Sequence, residues 1–293
     1  MRYEAIHTKS ALHRIAGGIP YSYDLNVYRG CQHGCRYCFA QYSHSYLKDP
    51  DFFSTVYVKT NIAERLEQEL SNPRWKREMV NLGGVTDSYQ KAEETFRLMP
   101  DIWRLLIRYR TPACISTKSD LILRDFDLIA ELSRVAYVGV AATVTAMDEA
   151  VQRELEPGAV STRRRLEMLK TFSAAGIPTG LHAMPLVPHF TDSAENIDAL
   201  CRAAKQAEVR YALFCGMKLT GKTCTQFFSF LERCHPELVG AFSKLYRTGH
   251  LDRDYKRALH EKIDAAMQQY GLSSNYLPQA AKEKQCTEQL RLF

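Results

Sequence analysis

Tyr28-Arg29-Gly30-Cys31-Gln32-His33-Gly34-Cys35-Arg36-Tyr37-Cys38-Phe39-Ala40 sets three cysteines as Cys-x3-Cys-x2-Cys. Three thiolates this close can hold a 4Fe-4S cluster while one iron keeps no protein ligand, unlike the four-cysteine sites of electron carriers. An open iron can bind a substrate. The competing reading is a Cys3His zinc site with His33 as the fourth ligand. Zinc sites commonly pair two ligand couples across a longer loop, and no second couple follows here.

Outward from this loop, short β-branched or apolar runs alternate with amphipathic helical segments, the pattern of βα units around a parallel sheet. A first strand, Asp24 to Arg29, runs into the cysteines, and Ile62 to Leu70 follows as a helix. Strands are expected at Met79 to Gly83, Ala113 to Thr117, Val135 to Thr143, Thr179 to Leu186 and Tyr211 to Cys215. Helices are expected between them at Glu93 to Arg108, Phe126 to Leu132, Ser161 to Ala174 and Ala194 to Ala207. The fold class is therefore α/β, a partial, open (β/α)6 barrel of TIM-like type over residues 23–216, preceded by an N-terminal extension over 1–22. Active sites of parallel barrels lie at the C-terminal ends of the strands, where the cysteine loop begins. Beyond Gly216 only helices are read, at Cys224 to Arg233, Glu237 to Tyr246 and Arg253 to Tyr270, as a helical cap over 217–270. A polar, mobile tail is expected over 271–293.

At 293 residues and 45% hydrophobic content the chain can bury one core of barrel size. The start is polar and basic (Arg2, His7, Lys9, His13, Arg14), and no run is long enough to span a bilayer, so no membrane partner is expected. Nine cysteines, an odd number and mostly scattered, suit a reducing cytoplasm better than a disulfide framework. A net charge of +6 permits a polyanionic partner without requiring one.

Further motifs follow in order: Gly83-Gly84-Val85-Thr86-Asp87-Ser88-Tyr89-Gln90, Ser116-Thr117-Lys118-Ser119-Asp120-Leu121-Ile122, Glu156-Pro157-Gly158 with Arg165 behind it, and Ala175-Gly176-Ile177-Pro178 leading to Pro185. With the cysteine loop they resemble the spore photoproduct lyase-like branch of the radical S-adenosyl-L-methionine (SAM) enzymes, over most of residues 20–215. The resemblance implies that Cys31, Cys35 and Cys38 hold a 4Fe-4S cluster whose free iron is chelated by SAM. One electron, from a donor such as flavodoxin or ferredoxin, then breaks a carbon–sulfur bond and releases a 5′-deoxyadenosyl radical. It further implies Tyr37 against the adenine, Gly83 and Gly84 at the methionine amino group with Thr86 and Asp87 bonding that end, and Lys118 and Arg165 at the carboxylate. Thr143 or Thr145 would meet the ribose, and Ala183 to Val187 would line the adenine.

Two departures concern hydrogen return. The family's relay uses a cysteine just ahead of the strand-two motif and a tyrosine just after the third cluster cysteine, where this chain has Leu82-Gly83-Gly84-Val85 and Phe39. Cys114 is the nearest replacement donor by sequence, and Tyr89 lies where it could face the substrate; a buried small hydrophobe is the blander reading of the one, and a surface tyrosine of the other.

At the far end, Gln289-Leu290-Arg291-Leu292-Phe293 resembles the peptide by which bacterial replication and repair proteins dock on the DNA polymerase sliding clamp. Leu290, Leu292 and Phe293 are large apolar residues closing a polar segment, and Gln289 can hydrogen-bond beside the pocket that Leu292 and Phe293 fill. The expected function is SAM-radical repair of damaged DNA, the lesion extruded into the barrel mouth. Two alternatives of other classes stand beside it: radical modification of a peptide, protein or RNA, and a non-catalytic iron–sulfur sensor of DNA damage.

Overall fold

The computed structural model describes residues 1–15, 21–44 and 51–276, so the carboxy-terminal pentapeptide lies outside the described residues. Its strands are β1 (Arg2–Ile6), β2 (Leu12–Arg14), β3 (Tyr23–Leu25), β4 (Tyr28–Arg29), β5 (Thr55–Lys59), β6 (Val80–Leu82), β7 (Ala113–Thr117), β8 (Val138–Thr143), β9 (Thr179–Leu186) and β10 (Tyr211–Gly216). Seven form one sheet in the order β10-β9-β8-β7-β6-β3-β2, parallel throughout except for the β2–β3 pair. With β2 and β10 unpaired to each other, the sheet is an open partial barrel. A smaller sheet, β1-β5-β4, stands beside it.

Period-two alternation decides which side chains face the barrel interior. Leu25, Leu82, Ile115, Val140, Ala142, Leu181 and Ala183 pack outward into the main core beneath the surrounding helices. Their neighbours form layers across the sheet: Asp24 pairs with Asn81, Asn81 with Cys114 and Cys114 with Gly139, while Thr143 pairs with His182 two levels nearer the cysteine loop. The helix Met99–Arg108 shows why the outer shell holds: Ile102, Trp103 and Leu106 are fully buried on its inner face. Each such side chain is worth about 1.5–3 kcal/mol of burial.

The structure departs from the expected elements in five places. The strand Asp24 to Arg29 is broken at Asn26-Val27, so β3 stays in the barrel and β4 leaves it to pair with β5. β1, β2 and β5 are additions, which makes part of the N-terminal extension a component of both sheets. The helix Glu93 to Arg108 is two helices, Ala92–Phe96 and Met99–Arg108, parted where Arg97 takes φ of 46°. The buried Glu93 carboxylate causes the restart by accepting from the backbone N–H of Leu98 and Met99 at 3.0 Å each. The helix Arg253–Tyr270 packs Leu259, Ile263 and Ala266 into the main core, and its Tyr270 hydroxyl donates to Asp198 at 2.9 Å. It is a barrel helix, whereas Gly221–Cys234 and Val239–Leu245 do cover the cysteine loop. Finally, the expected tail begins by packing: Ala212 on β10 donates to the Ser273 carbonyl at 2.9 Å, and the Tyr276 ring lies 4.9 Å from that of Tyr211.

Candidate cluster and cofactor site

The cysteine loop follows β4 and is held from several sides by hydrogen bonds to distant parts of the chain. Gly30 O accepts from Thr86 Oγ1 at 2.6 Å and from Gln90 Nε2 at 3.0 Å, while Gln32 N donates to Gln90 Oε1 at 2.9 Å. His33 sits between two acceptors, with Nδ1 3.0 Å from Gly158 O and Nε2 2.9 Å from Asp87 Oδ2. With Nδ1 on a backbone carbonyl and Nε2 facing the Asp87 carboxylate, the ring is directed at Gly158 and Asp87, which argues against the Cys3His zinc reading. The Asp87 carboxylate also accepts from Thr117 Oγ1, Lys118 N and Tyr89 N at 2.8, 2.8 and 2.9 Å. Although burial opposes it, His33 beside the carboxyl holds Asp87 below the usual carboxylate range. Arg36 N donates to Leu155 O at 2.9 Å and Gly158 N to His33 O at 2.8 Å. A Cβ on Gly158 would stand 2.2 Å from Gln32 O, so only glycine permits this approach. From the helical cap, Thr223 Oγ1 donates to Cys38 O at 2.9 Å.

Cys31 and Cys35 are buried and Cys38 half-buried, and burial pushes all three thiols up to about 12. Among the described residues no three His, Cys, Asp or Glu side chains converge as ligands of one ion. Thiolates that each bind a different iron of a cubane need not converge on one point, and three cysteines on one loop are the donor chemistry such a cluster takes. Next to Cys35 lies a buried network of charges. The Tyr37 hydroxyl donates to Glu156, whose carboxylate pairs with Arg165 Nη1 at 2.6 Å. Arg165 also donates to Thr143 O and Val160 O at 2.8 Å each, yet its Nη2 is buried and has no hydrogen-bond partner. Lys118 Nζ lies 5.8 Å from the centre of the Tyr37 ring, and among the described residues it has no ion pair. An orphaned guanidinium nitrogen and an unpaired ammonium beside three thiols suit the carboxylate of a bound SAM.

Other expected site residues fall elsewhere. Gly83 has φ of 89°, and a Cβ on Gly84 would stand 1.9 Å from Asp24 Oδ2, so this turn makes room for the Asp24 carboxylate. Thr86 and Asp87 are occupied in holding the cysteine loop. Thr143 Oγ1 lies 3.4 Å from Ser116 Oγ inside the barrel, and Thr145 Oγ1 donates to Glu156 Oε1 at 3.4 Å. Val187 packs with Cys35 and Tyr37 under the cap, but Ala183 belongs to the outward-facing core and cannot line a cavity inside the barrel. Tyr89 is likewise a correction: it is fully buried among helices, its hydroxyl donating to Asp125 Oδ2 at 2.8 Å and accepting from Trp103 Nε1 at 2.7 Å. Both bonding positions of the phenol are filled, which removes it from any substrate.

Cys114 lies deep inside the barrel, hydrogen-bonded by the Tyr276 hydroxyl and 3.6 Å from Asn81 Oδ1, with its thiol pushed up to about 12 by burial. Tyr211 OH lies 3.2 Å from His182 Nε2, and burial pushes His182 down to about 4, which keeps it neutral at pH 7. Sequence reasoning missed the roles of His33, Gln90, Glu156 and Tyr276. Glu156 and Gln90 stood within quoted motifs, whereas nothing local to Tyr276 signals its return to the barrel floor.

Residues 25–201 match the family described as the Radical SAM superfamily. An uncharacterized protein of Mycobacterium tuberculosis is 38% identical over 282 residues, covering 94% of this chain and 83% of the relative. Another, of Methanocaldococcus jannaschii, is 27% identical over 216 residues, covering 73% of this chain and 77% of its own. Spore photoproduct lyase complexed with dinucleoside spore photoproduct superposes with a TM-score of 0.69 at 13% identity, over 92% of this chain and 79% of that one. Streptococcus suis SuiB bound to precursor peptide SuiA superposes with a TM-score of 0.54 at 16% identity, over 84% and 46%. At such identities these two structures speak for the fold.

Proposed function

The chain belongs to the radical SAM superfamily, and from that premise we propose that it repairs a lesion in DNA by hydrogen abstraction from a damaged nucleobase. When bound, the cluster and SAM supply a 5′-deoxyadenosyl radical. The observation that carries the reading is the likeness, over 92% of the chain, to a lyase complexed with a dinucleoside lesion. The polar interior positions Asp24, Asn81 and Cys114, with His182 at the level of Thr143, support it, since an extruded base needs hydrogen-bonding walls.

The chain's own groups have the following roles. Lys118 and Arg165 Nη2 orient the cofactor carboxylate, Tyr37 and Val187 exclude water on the cap side, and Thr143 faces the ribose. Gly83 and Gly84 act indirectly, their turn seating the Asp24 carboxylate, while Thr86 and Asp87 act through the cysteine loop they hold. Cys114 is the hydrogen donor, its S–H kept protonated by burial. With Phe39 64% exposed after the third cysteine and no cysteine ahead of Gly83, repair of spore photoproduct itself should be weak or absent. All eight described cysteines are free thiols, in keeping with a reducing cytoplasm and a flavodoxin- or ferredoxin-like electron donor. No helix among the described residues is long and apolar enough to cross a membrane. The Gln289 to Phe293 peptide would tether the enzyme to the sliding clamp.

The test is 5′-deoxyadenosine formation by the anaerobically reconstituted protein against a panel of damaged oligonucleotides. Turnover stimulated by a particular lesion supports the reading. Stimulation by peptides and by no oligonucleotide would favour the second reading, peptide modification, which the likeness to SuiB with its precursor peptide motivates.

A further inference from the structure

On the other flank of the cysteine loop lies a second group of cations that the cofactor does not use. β4 and β5 pair antiparallel, Tyr28 with Val58 and Arg29 with Tyr57, so Arg29, Tyr57 and Lys59 share one face while Val56 and Val58 enter the core. Lys59 is 4% exposed and Arg29 is half-buried. Among the described residues neither side chain has a hydrogen-bond or ion-pair partner. The carboxylate that acts on Lys59 is Asp24, but its oxygens already accept from Asn81 Nδ2 at 2.6 Å and Asn26 Nδ2 at 3.4 Å. His13, paired with Asp24 across β2 and β3, is held below the usual imidazole value by burial and by Lys59, and so adds no charge of its own.

Asp24 is one carboxylate against the two cations Arg29 and Lys59, and an excess buried positive charge weakens a fold, so such a group marks a place where an anionic ligand completes the charge. Burial, with Arg29 adding like charge, pushes Lys59 down to about 8. SAM is not the missing anion. It carries one carboxylate against two cationic groups, and Lys118 serves that carboxylate in a separate network with Cys35, Glu156 and Arg165.

Close to the same face the chain exposes aromatic surface. Phe39 and Tyr42, 64% and 54% exposed, stack with ring centres 6.4 Å apart, and the short helix that carries them ends with His44 against Tyr57. Phosphate-binding cations beside exposed aromatic rings are the two components of single-strand recognition.

We propose that Arg29 and Lys59 grip a phosphodiester of the substrate strand at the barrel mouth, with Phe39 offering its ring to a neighbouring base. This rests on the nucleic-acid reading above and names how the strand is held. The test uses the reconstituted protein saturated with SAM and two probes, thymidylyl-thymidine and its uncharged methylphosphonate analogue, with binding measured by calorimetry. The unsubstituted protein should bind the phosphodiester about tenfold more tightly, the effect of one charge-assisted contact. Lys59→Met should bind the two probes alike, keep its iron, and melt at an equal or higher temperature, because it deletes a buried charge and keeps the stem. Equal binding of both probes by the unsubstituted protein overturns the anchor and leaves the substrate class standing. Binding of neither overturns both. Undiminished discrimination in Lys59→Met, or its loss of iron and fold, would make Lys59 a structural residue. The comparison of probes in the unsubstituted protein does not depend on any variant folding.

Discussion

Lys118 and Glu156 set the local electrostatics of the cofactor cavity, and each makes a measurable claim. If Lys118 meets the SAM carboxylate, Lys118→Ala should weaken SAM binding by about 2–5 kcal/mol, as when one partner of a buried charge pair is removed. Iron content should stay unchanged. Equilibrium dialysis against labelled SAM reads this directly, and equal affinity in the variant would return Lys118 to an ordinary charge. Glu156 stays ionised to lower pH than a free acid: burial would raise it, but Arg165 and Lys118 hold it below the usual carboxylate value of 4.5. The unfolded state then takes up a proton first as pH falls, so the pair's contribution is fully present above pH 4.5 and is lost as pH drops through the lower folded value. Glu156→Gln should therefore flatten the acid limb of the stability curve, measured as denaturation midpoint against pH. An unchanged limb would mean that other carboxylates control it. The candidate ligands Cys31, Cys35 and Cys38 were legible from spacing alone. The occupied states of Asp87 and Tyr89 were not, because their partners His33, Thr117, Asp125 and Trp103 are brought together only by packing.

At the scale of elements, the cysteine loop has no regular structure of its own and depends on the turn at 155–158 and on the motif after β6. Gly158→Ala puts a methyl group 2.2 Å from Gln32 O, where the neighbour is backbone and cannot swing away. The expected outcome is a folded barrel that takes up iron poorly, seen as a far-ultraviolet spectrum like that of the parent and reduced cluster absorbance after reconstitution. Full iron uptake would show that the clasp is dispensable. The parallel strands were legible because each is a short apolar run between amphipathic helices. β5, Thr-Val-Tyr-Val-Lys, carries the same β-branched signal but is followed by no separate barrel unit, since its partners are β1 and β4 of the smaller sheet. The break at Arg97 was not legible, since it depends on Glu93, whose other partners Tyr28 and Arg124 are distant in sequence.

At the scale of the whole molecule, residues far apart in sequence, β2 near the start and the segment Gly271 to Tyr276, both pack on the barrel sheet. The segment Gly271 to Tyr276 returns along β10 and places Tyr276 against Cys114 and Tyr211 at the floor, while the clamp-like peptide lies beyond the described residues. Two truncations separate the roles. Removing everything after Leu272 strips the floor of Tyr276 and frees a backbone donor of β10, and should cost about 1.5–3 kcal/mol of stability, the worth of one large buried side chain. Removing Gln289 to Phe293 should leave the melting temperature, iron content and SAM cleavage unchanged and abolish binding to a bacterial sliding clamp. The argument for the second is kinetic. Lesions are rare, a clamp-bound tail raises the local enzyme concentration at replicating DNA through a linker, and it does so without adding a contact at the active site. Surface plasmon resonance on immobilised clamp reads the loss. If the shorter truncation instead loses its cluster, the peptide is a structural part of the barrel and the tether fails.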